Sequence, residues 1–424
     1  MITNIEWLPT IPDGWKIRKV KNIYKYQAGG TPDTSNFEYY DGDINWITIS
    51  DMQDKFIDKT KSTISELGRE MANIKLSPAG SLLFSFKLSI GKVAFCLNDT
   101  YTNEAIITLS KCNCTENLNF LYYALPIYVV RNAKKNMYGA YLLNKSLIMN
   151  AKVVLPSQNE QKLIADFLDK KVYQVDKVIN GLKEEIKVLE LAKKSLITEC
   201  ITKGLNYNIE MKNSEVDWIG EVPKLWTITK IKYVTKIQRG AFGHRPRNDP
   251  RYYDGKYPFI QTGDVAGAGK YITNYSQTLN DFGKEVSRKF PKGTLTMTIA
   301  ANIGDVSILG FDSYFPDSVV GFIPKEKVNA EYLYYIFSAM KDIFISSAIE
   351  NTQLNLNIER IKDIYIPITY CEKEQQQIVD YLDKKCTAID NVIEAKKMEI
   401  LNLNRYKKSF VFEYVTGIKR VKGE

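Results

Sequence analysis

A segment of 43 residues beginning at Glu160 returns 214 positions later, at Glu374, without a gap and with 20 identities. EQKLIADFLDKKVYQVDKVI is answered by EQQQIVDYLDKKCTAIDNVI. The stretches before the two copies also correspond, far more loosely, so the chain reads as globular half, long helix, globular half, long helix. Such a duplication restricts the fold to one scaffold built twice, carrying two surfaces that have diverged.

The looser correspondence is confined to a frame. Trp7, Pro12, Trp15 and Lys21 recur as Trp218, Pro223, Trp226 and Lys232. Asp41-Gly42, Asp51, Pro78, Gly80, Gly91 and Val93 recur as Asp254-Gly255, Asp264, Pro291, Gly293, Gly304 and Val306. Phe120-Leu-Tyr-Tyr matches Tyr332-Leu-Tyr-Tyr, and each half closes in an apolar run ending at proline, Val153 to Pro156 and Ile364 to Pro367. Little matches between these anchors, so the two halves hang different loops on one frame.

At 424 residues the chain can hold two or three cores, and each half is large enough to bury one of its own. With 44% hydrophobic and 25% charged residues it has an ordinary soluble composition, and a net charge of +9 suits a polyanionic partner. No apolar run reaches 18 residues, and Met1 to Trp7 lacks the basic start and apolar core of a signal peptide. The expectation is a cytoplasmic protein without a membrane partner.

Catalytic patterns fail one after another. The six cysteines include no zinc-binding spacing, since Cys112 and Cys114 are one residue apart and His244 is the only histidine. Any Ser/His/Asp chemistry would depend on that one imidazole. Gly263 to Lys270 resembles a phosphate-binding loop, but its glycine spacing is one too long and Tyr271 stands where Ser or Thr would hold magnesium, so it reads as a loop between strands. There is no Asn-Pro-Pro-Tyr or Asp-Pro-Pro-Tyr, the tetrapeptide of amino-methyltransferases. Pro32-Asp33 and Pro316-Asp317 are not followed by the acidic-x-Lys strand of a nuclease. The chain is expected to be non-catalytic, with no metal or cofactor of its own.

The repeated segments carry coiled-coil seams. Leu168, Val172, Val175, Ile179, Leu182, Ile186 and Leu189 step by four and three, and their counterparts are Leu382, Cys386, Ile389, Ile393, Lys396, Ile400 and Leu403. Lys396 makes one rung polar. Gly181 is a candidate interruption, and Gly204 and Gly417 are candidate stops. Two similar seams facing nothing in their own domains predict that the helices pack on each other, most simply antiparallel. Equivalent helices packed that way create a pseudo-twofold axis and opposed globular halves, an arrangement suited to a split, inverted target such as duplex DNA.

The order of these parts resembles the specificity subunit of type I restriction-modification systems. The resemblance rests on the helix openings Asn159-Glu160-Gln161-Lys162-Leu163-Ile164 and Lys373-Glu374-Gln375-Gln376-Gln377-Ile378-Val379. The domain openings Trp7 to Trp15 and Trp218 to Trp226, and the endings Leu155-Pro156 and Ile366-Pro367, are similar too. It spans nearly the whole chain and implies an α+β architecture with two α/β target recognition domains, each with a curved β-sheet. Residues 1–157 would form the first recognition domain, 158–206 the central helical region, 207–370 the second recognition domain and 371–424 the distal helical region. The resemblance further implies a non-enzymatic subunit that reads a bipartite, asymmetric site on double-stranded DNA. It would bind two adenine methyltransferase subunits and two translocating endonuclease subunits, with S-adenosylmethionine, ATP and magnesium belonging to those partners. A coiled-coil adaptor with two ligand-binding domains, or a stand-alone methyltransferase or nuclease, are the rival readings.

Candidate DNA contacts lie in the divergent loops. In the first half, Gly30, Thr31, Thr34 and Ser35 form a loop where backbone can approach phosphate, and Ser50, Asp51, Gln53 and Lys55 follow an expected strand from Asn45 to Ile49. Asp accepts from cytosine, Gln clamps adenine, and Lys87, Lys92 and Lys134 are of the type that meets phosphate. In the second half the run Arg239, His244, Arg245, Arg247 and Arg251 offers forks for guanine or phosphate. Thr262, Asp264, Asn302, Gln353 and Asn355 are further candidates, as are Tyr138 and Tyr141 for stacking.

Overall fold

Short β-branched and aromatic runs build the same five-stranded sheet in both halves. The computed structural model describes residues 1–87, 89–111, 117–131, 133–135, 141–206, 208–300, 302–347 and 356–421. In the first half the strand order is Tyr24–Ala28, Ile106–Lys111, Leu82–Ser85, Val93–Cys96, Phe56–Ile57. Neighbours run antiparallel except the last pair, Phe56–Ile57 with Val93–Cys96, which is parallel. Leu82 and Phe84 face a core completed by the helix Leu118–Val130, while Leu83 points the other way, toward Ala94, Cys96 and Ile106. The two-residue alternation therefore persists although all four strand residues are buried.

In the second half the order is Thr235–Arg239, Val319–Pro324, Leu295–Thr298, Val306–Leu309, Tyr271–Ile272, again with only the last pairing parallel. The covering helix is Ala330–Ala339, whose Phe337 packs edge-on against Phe322 at 4.9 Å. Both covering helices start at an asparagine cap: Asn117 accepts from the Phe120 amide and Asn329 from those of Glu331 and Tyr332. The terminal apolar runs return to each domain's start, Lys152–Leu155 pairing with Lys16–Lys19 and Tyr365–Ile368 with Thr227–Lys230.

A smaller second sheet explains why Asp-Gly recurs. The strand containing Asp41-Gly42 pairs with Thr63–Ile64, and the one containing Asp254-Gly255 pairs with Gln277–Leu279. Each pairing shifts register across the dipeptide, and Asp41 and Asp254 sit at φ 55° and 60°. A Cβ on Gly42 would lie 2.6 Å from Ser65 Cα, and one on Gly255 would lie 2.3 Å from Asn280 Cα. The shared dipeptide is thus a β-bulge pressed against its neighbour, where no larger residue fits. The strand expected at Asn45 to Ile49 is the end of the longer Tyr40–Ile47.

The two long helices span Gln158–Lys203 and Glu372–Val415, and the first runs unbroken through Gly181. Their openings dock identically. Glu160 accepts from the Trp15 indole at 3.0 Å and Glu374 from Trp226 at 3.1 Å. Gln161 accepts from the Asn117 amide at 2.9 Å and Gln375 from Asn329 at 2.8 Å. These buried brackets account for the identity of the Glu-Gln openings. They also correct the expectation that the seams face nothing in their own domains: Leu168, with Ile164 and Ala165, is wholly buried in the first core, and Leu382, with Ile378 and Val379, in the second.

Contacts divide the protein into two compact units, residues Met1–Gly181 with those from Met398 onward, and residues Leu182–Lys397. Within each unit the two long helices run antiparallel. In the first, Phe167 meets Phe410 and Tyr414 at 5.6 and 4.9 Å, Lys407 pairs with Asp176, and Arg420 grips Glu160 at 2.9 Å. In the second, Lys193 bonds Asp390 at 2.6 Å and Lys396 pairs with Glu185. Lys193 and Asp390 are the repeat counterparts of Lys407 and Asp176, so one ion pair is built twice. The polar rung at Lys396 is answered by a carboxylate on the facing helix. Ile179, Leu182 and Ile393 are buried, and Val175, Ile186, Leu189, Ile389, Ile400 and Leu403 are half-buried.

The helix ends are finished by glycines at positive φ, Gly204 at 73° and Gly417 at 79°. A Cβ at Gly417 would lie 2.5 Å from Pro12 Cδ, and one at Gly204 would lie 3.3 Å from the Trp226 ring. The second helix thereby ends against the opening of the first domain, where Val415 is fully buried and its carbonyl accepts from the Tyr128 hydroxyl at 3.2 Å.

Candidate nucleic-acid interface

In both domains the first strand of the large sheet ends in a glycine wedged beneath a tight turn. Gly29 donates to the Ile106 carbonyl at 3.1 Å and Gly30 to Thr102 at 2.9 Å; Gly240 donates to Val319 at 2.9 Å and Ala241 to Phe315 at 3.0 Å. A Cβ on Gly29 would lie 2.1 Å from the Thr102 carbonyl oxygen and 2.3 Å from that of Asn103, and one on Gly240 would lie 2.1 Å from that of Pro316. The turns, Asn103 to Ile106 and Pro316 to Val319, close with matching 3.1 Å bonds and carry an acid at the same place, Glu104 and Asp317. From sequence Glu104 was missed and Asp317 was set aside with Pro316 as a failed nuclease pattern, although the two acids share the 213-residue offset of Gly80 with Gly293 and Gly91 with Gly304.

The loops that meet these acids differ. In the first domain Glu104 accepts from the Thr31 hydroxyl and stands 3.8 Å from Lys87. The Gly30 amide, expected to approach phosphate, is used internally, and its carbonyl accepts from the Trp46 indole at 3.1 Å. Thr34 and Ser35 are exposed, with Ser35 turned onto Asp33 at 2.8 Å. Around the next loop, Ser50 meets Thr48 at 2.7 Å, Gln53 donates to the Ser50 carbonyl at 2.9 Å, and Lys92 reaches the Ile49 carbonyl at 3.4 Å. Asp51 accepts from the Thr48 amide and hydroxyl and from the Lys61 amide, so it braces the loop and has little left to offer a base.

In the second domain Asp317 gathers arginines. Both its carboxylate oxygens take Arg247 Nη2, at 2.6 and 2.7 Å, Arg245 lies 3.7 Å away, and Arg239 Nε donates to its backbone carbonyl at 2.5 Å. Arg288, also missed from sequence, donates to the Arg239 carbonyl at 2.7 Å. Arg251 forks onto Asp249 at 3.0 and 2.6 Å, and His244 meets the same carboxylate at 3.0 Å. The Arg251 bonds lead in holding the Asp249 carboxyl well below the usual carboxylate range. Arg251 and His244 therefore bind their own loop first. Asp264, a further candidate contact, caps the Gln261 amide at 2.7 Å and accepts from Ser276, which makes it a brace as Asp51 is. Thr262 is half-buried at the start of the short helix Thr262–Gly267, which replaces the loop expected there, and Asn302 is exposed. Gln353, Asn355 and Tyr138 lie outside the described residues, as do Cys112 and Cys114 and the side chains of Lys134 and Tyr141.

Lys55 does not join this surface. Its ammonium binds Asp169 of the first long helix at 2.5 Å, and the same carboxylate accepts from the Tyr123 hydroxyl at 2.5 Å. Lys270 repeats the arrangement on Asp383 at 2.7 Å, with Tyr335 donating to that carboxylate. Burial first, and then the bonded aspartate, push both phenols far above their ordinary value. This Lys-Asp-Tyr cluster clamps each domain to its helix. A Lys55→Ala chain is expected to lose about 1 kcal/mol of stability, as half-exposed ion pairs do. Its DNA affinity should keep the wild-type slope against salt, whereas a lost phosphate contact would flatten that slope by about 0.9.

A family model of the type I restriction modification DNA specificity domain matches residues 12–188 and again 223–402. The chain belongs to this family. The specificity domains fall on the two halves of the repeat. Among relatives, the MjaX and MjaVIII specificity subunits of Methanocaldococcus jannaschii, the first named as a putative type I restriction enzyme, are 28% and 25% identical to it. Each alignment covers 97% of this chain, with 95% and 94% of those proteins. A solved chain described in terms of complex assembly and conformational transition of the type I R-M system superposes with a TM-score of 0.70, over 96% of this chain and 99% of that one. At 15% identity that likeness shows the fold, a mixed helix and sheet architecture with the specificity domain repeated. No helix among the described residues is long and apolar enough to cross a membrane.

Proposed function

We propose that each specificity domain reads one half of a bipartite, asymmetric DNA site, and that the paired helices set the unread spacer and dock two methyltransferase subunits. The carrying observation is that one frame is built twice with different side chains on it: Glu104 faces Thr31 and Lys87, while Asp317 at the matching place faces arginines. Two unlike readers on one scaffold suit a target with unlike halves. The relatives named above are specificity subunits of type I restriction enzymes, and this supports the same role here. The chain itself transfers no group and cuts nothing. S-adenosylmethionine, ATP and magnesium belong to the methyltransferase subunits and to two endonuclease and translocase subunits of the full assembly, in the cytoplasm.

The test is domain exchange. Residues 1–150 are replaced with the corresponding domain of another family member, the chimera is expressed with the methyltransferase subunit, and methylated adenines are mapped by long-read sequencing. One half of the methylated motif should change and the other stay intact. A motif altered in both halves would remove the two-reader proposal, and methyl transfer by rigorously partner-free chain would remove the non-catalytic one.

A further inference from the structure

We propose that Glu104 and Asp317 are the positioning carboxylates of the two readers, and that Asp317 presents Arg247 to a guanine in the half-site read by the second domain. This rests on the DNA-reading function above and names which groups discriminate. The two acids occupy one place in the frame, fixed by matching glycine and turn bonds. What differs is the donor each one holds: a hydroxyl and an ammonium on Glu104, guanidinium groups on Asp317.

The bonding pattern singles out Arg247. Arg251 is forked onto Asp249, and Arg245 Nη1 is occupied by the carbonyls of Phe242 and His244 at 2.6 and 2.8 Å. Arg239 is held through Nε by a neutral carbonyl. Arg247 is the arginine held by both oxygens of Asp317, and only through Nη2, so its Nε and Nη1 have no partner among the described residues while the side chain is 49% exposed. A guanidinium held at Nη2 still has its Nη1 free, and Nη1 together with the second Nη2 hydrogen can donate two bonds to guanine O6 and N7. The adenine edge offers a donor in place of O6 and rejects it. Because the carboxylate orders the side chain before DNA arrives, less rotamer entropy is lost on binding. In the first domain no guanidinium among the described residues stands against Glu104, so that half-site is read with other chemistry.

Asp317→Asn, Arg247→Lys, Arg239→Lys and Glu104→Gln chains are each expressed with the methyltransferase subunit, and the methylated motif and thermal midpoint of each are recorded. D317N and R247K should each relax one G·C position of one half-site by about 10- to 100-fold, with the other half-site unchanged. E104Q should alter only the opposite half-site, and R239K, at an arginine held through Nε by a neutral carbonyl, should not relax the G·C position that R247K relaxes. R247K keeps Asp317 in place, so it decides the matter even where D317N misfolds. Unchanged motifs in D317N and R247K, equal weakening of both half-sites, or relaxation by R239K instead would each overturn the assignment. A wild-type chain without any split-site preference would remove the DNA-reading function beneath it, which is a separate and distinguishable failure.

Discussion

Residues 1–206 expressed alone should form a dimer that binds two copies of the first half-site in inverted repeat, and should lose the asymmetric site altogether. The first unit is incomplete without the end of the second helix: Val415 is fully buried in its core, and Phe410, Val411 and Tyr414 pack beside it. Losing that cover exposes several large apolar side chains, each worth about 1.5–3 kcal/mol when buried. The half-chain carries a substitute, because Leu196, Ile197, Cys200 and Ile201 are the repeat counterparts of those four residues. Two copies would offer each other these segments, and Lys193 of each would meet Asp176 of the other, since the intact chain already builds that pair as Lys407 with Asp176 and Lys193 with Asp390. Leu and Cys in place of Phe and Tyr leave the joint underfilled, so the dimer should be weaker than the intact chain. Sedimentation at micromolar concentration reports its mass. A well-folded monomer under those conditions would show that the borrowed helix end is dispensable.

The second large effect concerns the spacer. Four residues inserted after Lys183 and four after its counterpart Lys397 should lengthen the unread spacer by about two base pairs, with both half-sites unchanged. Four residues add about 6 Å of helix, against 3.4 Å per base pair, and overshoot one turn by only about 40°. Both helices must be lengthened, because each unit holds them side by side through Lys407 with Asp176 and Lys396 with Glu185. An insertion in one helix alone is opposed by the other. Proline at Val178, an exposed position inside the first helix, should instead cost about 3 kcal/mol or more and abolish split-site methylation. Mapping of methylated adenines decides between these outcomes: an unchanged spacer with full activity in the double insertion would separate the helices from the measurement of distance.

Much of the scaffold was legible because its constraints are local. Asp-Gly marks a bulge, Gly204 and Gly417 mark helix stops, and the Glu-Gln openings mark brackets that any copy of the helix must make. The site was less legible because its partners are distant in sequence. Lys55 looked like a DNA contact, yet its charge is taken by Asp169, 114 positions away. Asp51 and Asp264 looked like DNA contacts, yet their lone pairs brace loops. Glu104 and Asp317 were hidden for the opposite reason: an acid in a tight turn carries no pattern, and only the neighbouring glycine bonds show that the two positions are one.

The unit that contains residue 1 also contains Val415, and this imposes an order on the protein's birth. A ribosome delivers the first domain early, but the apolar segment that closes its core emerges only after the whole second unit, residues 182 to 397, has been synthesised. At 5–20 residues per second the delay is about 10–50 s. Through that interval the nascent first domain presents an open apolar face, and the second unit receives its last residue, Lys397, before Val415 has been made. The later-made unit can therefore mature first, and the chain's beginning is the last region to be sealed.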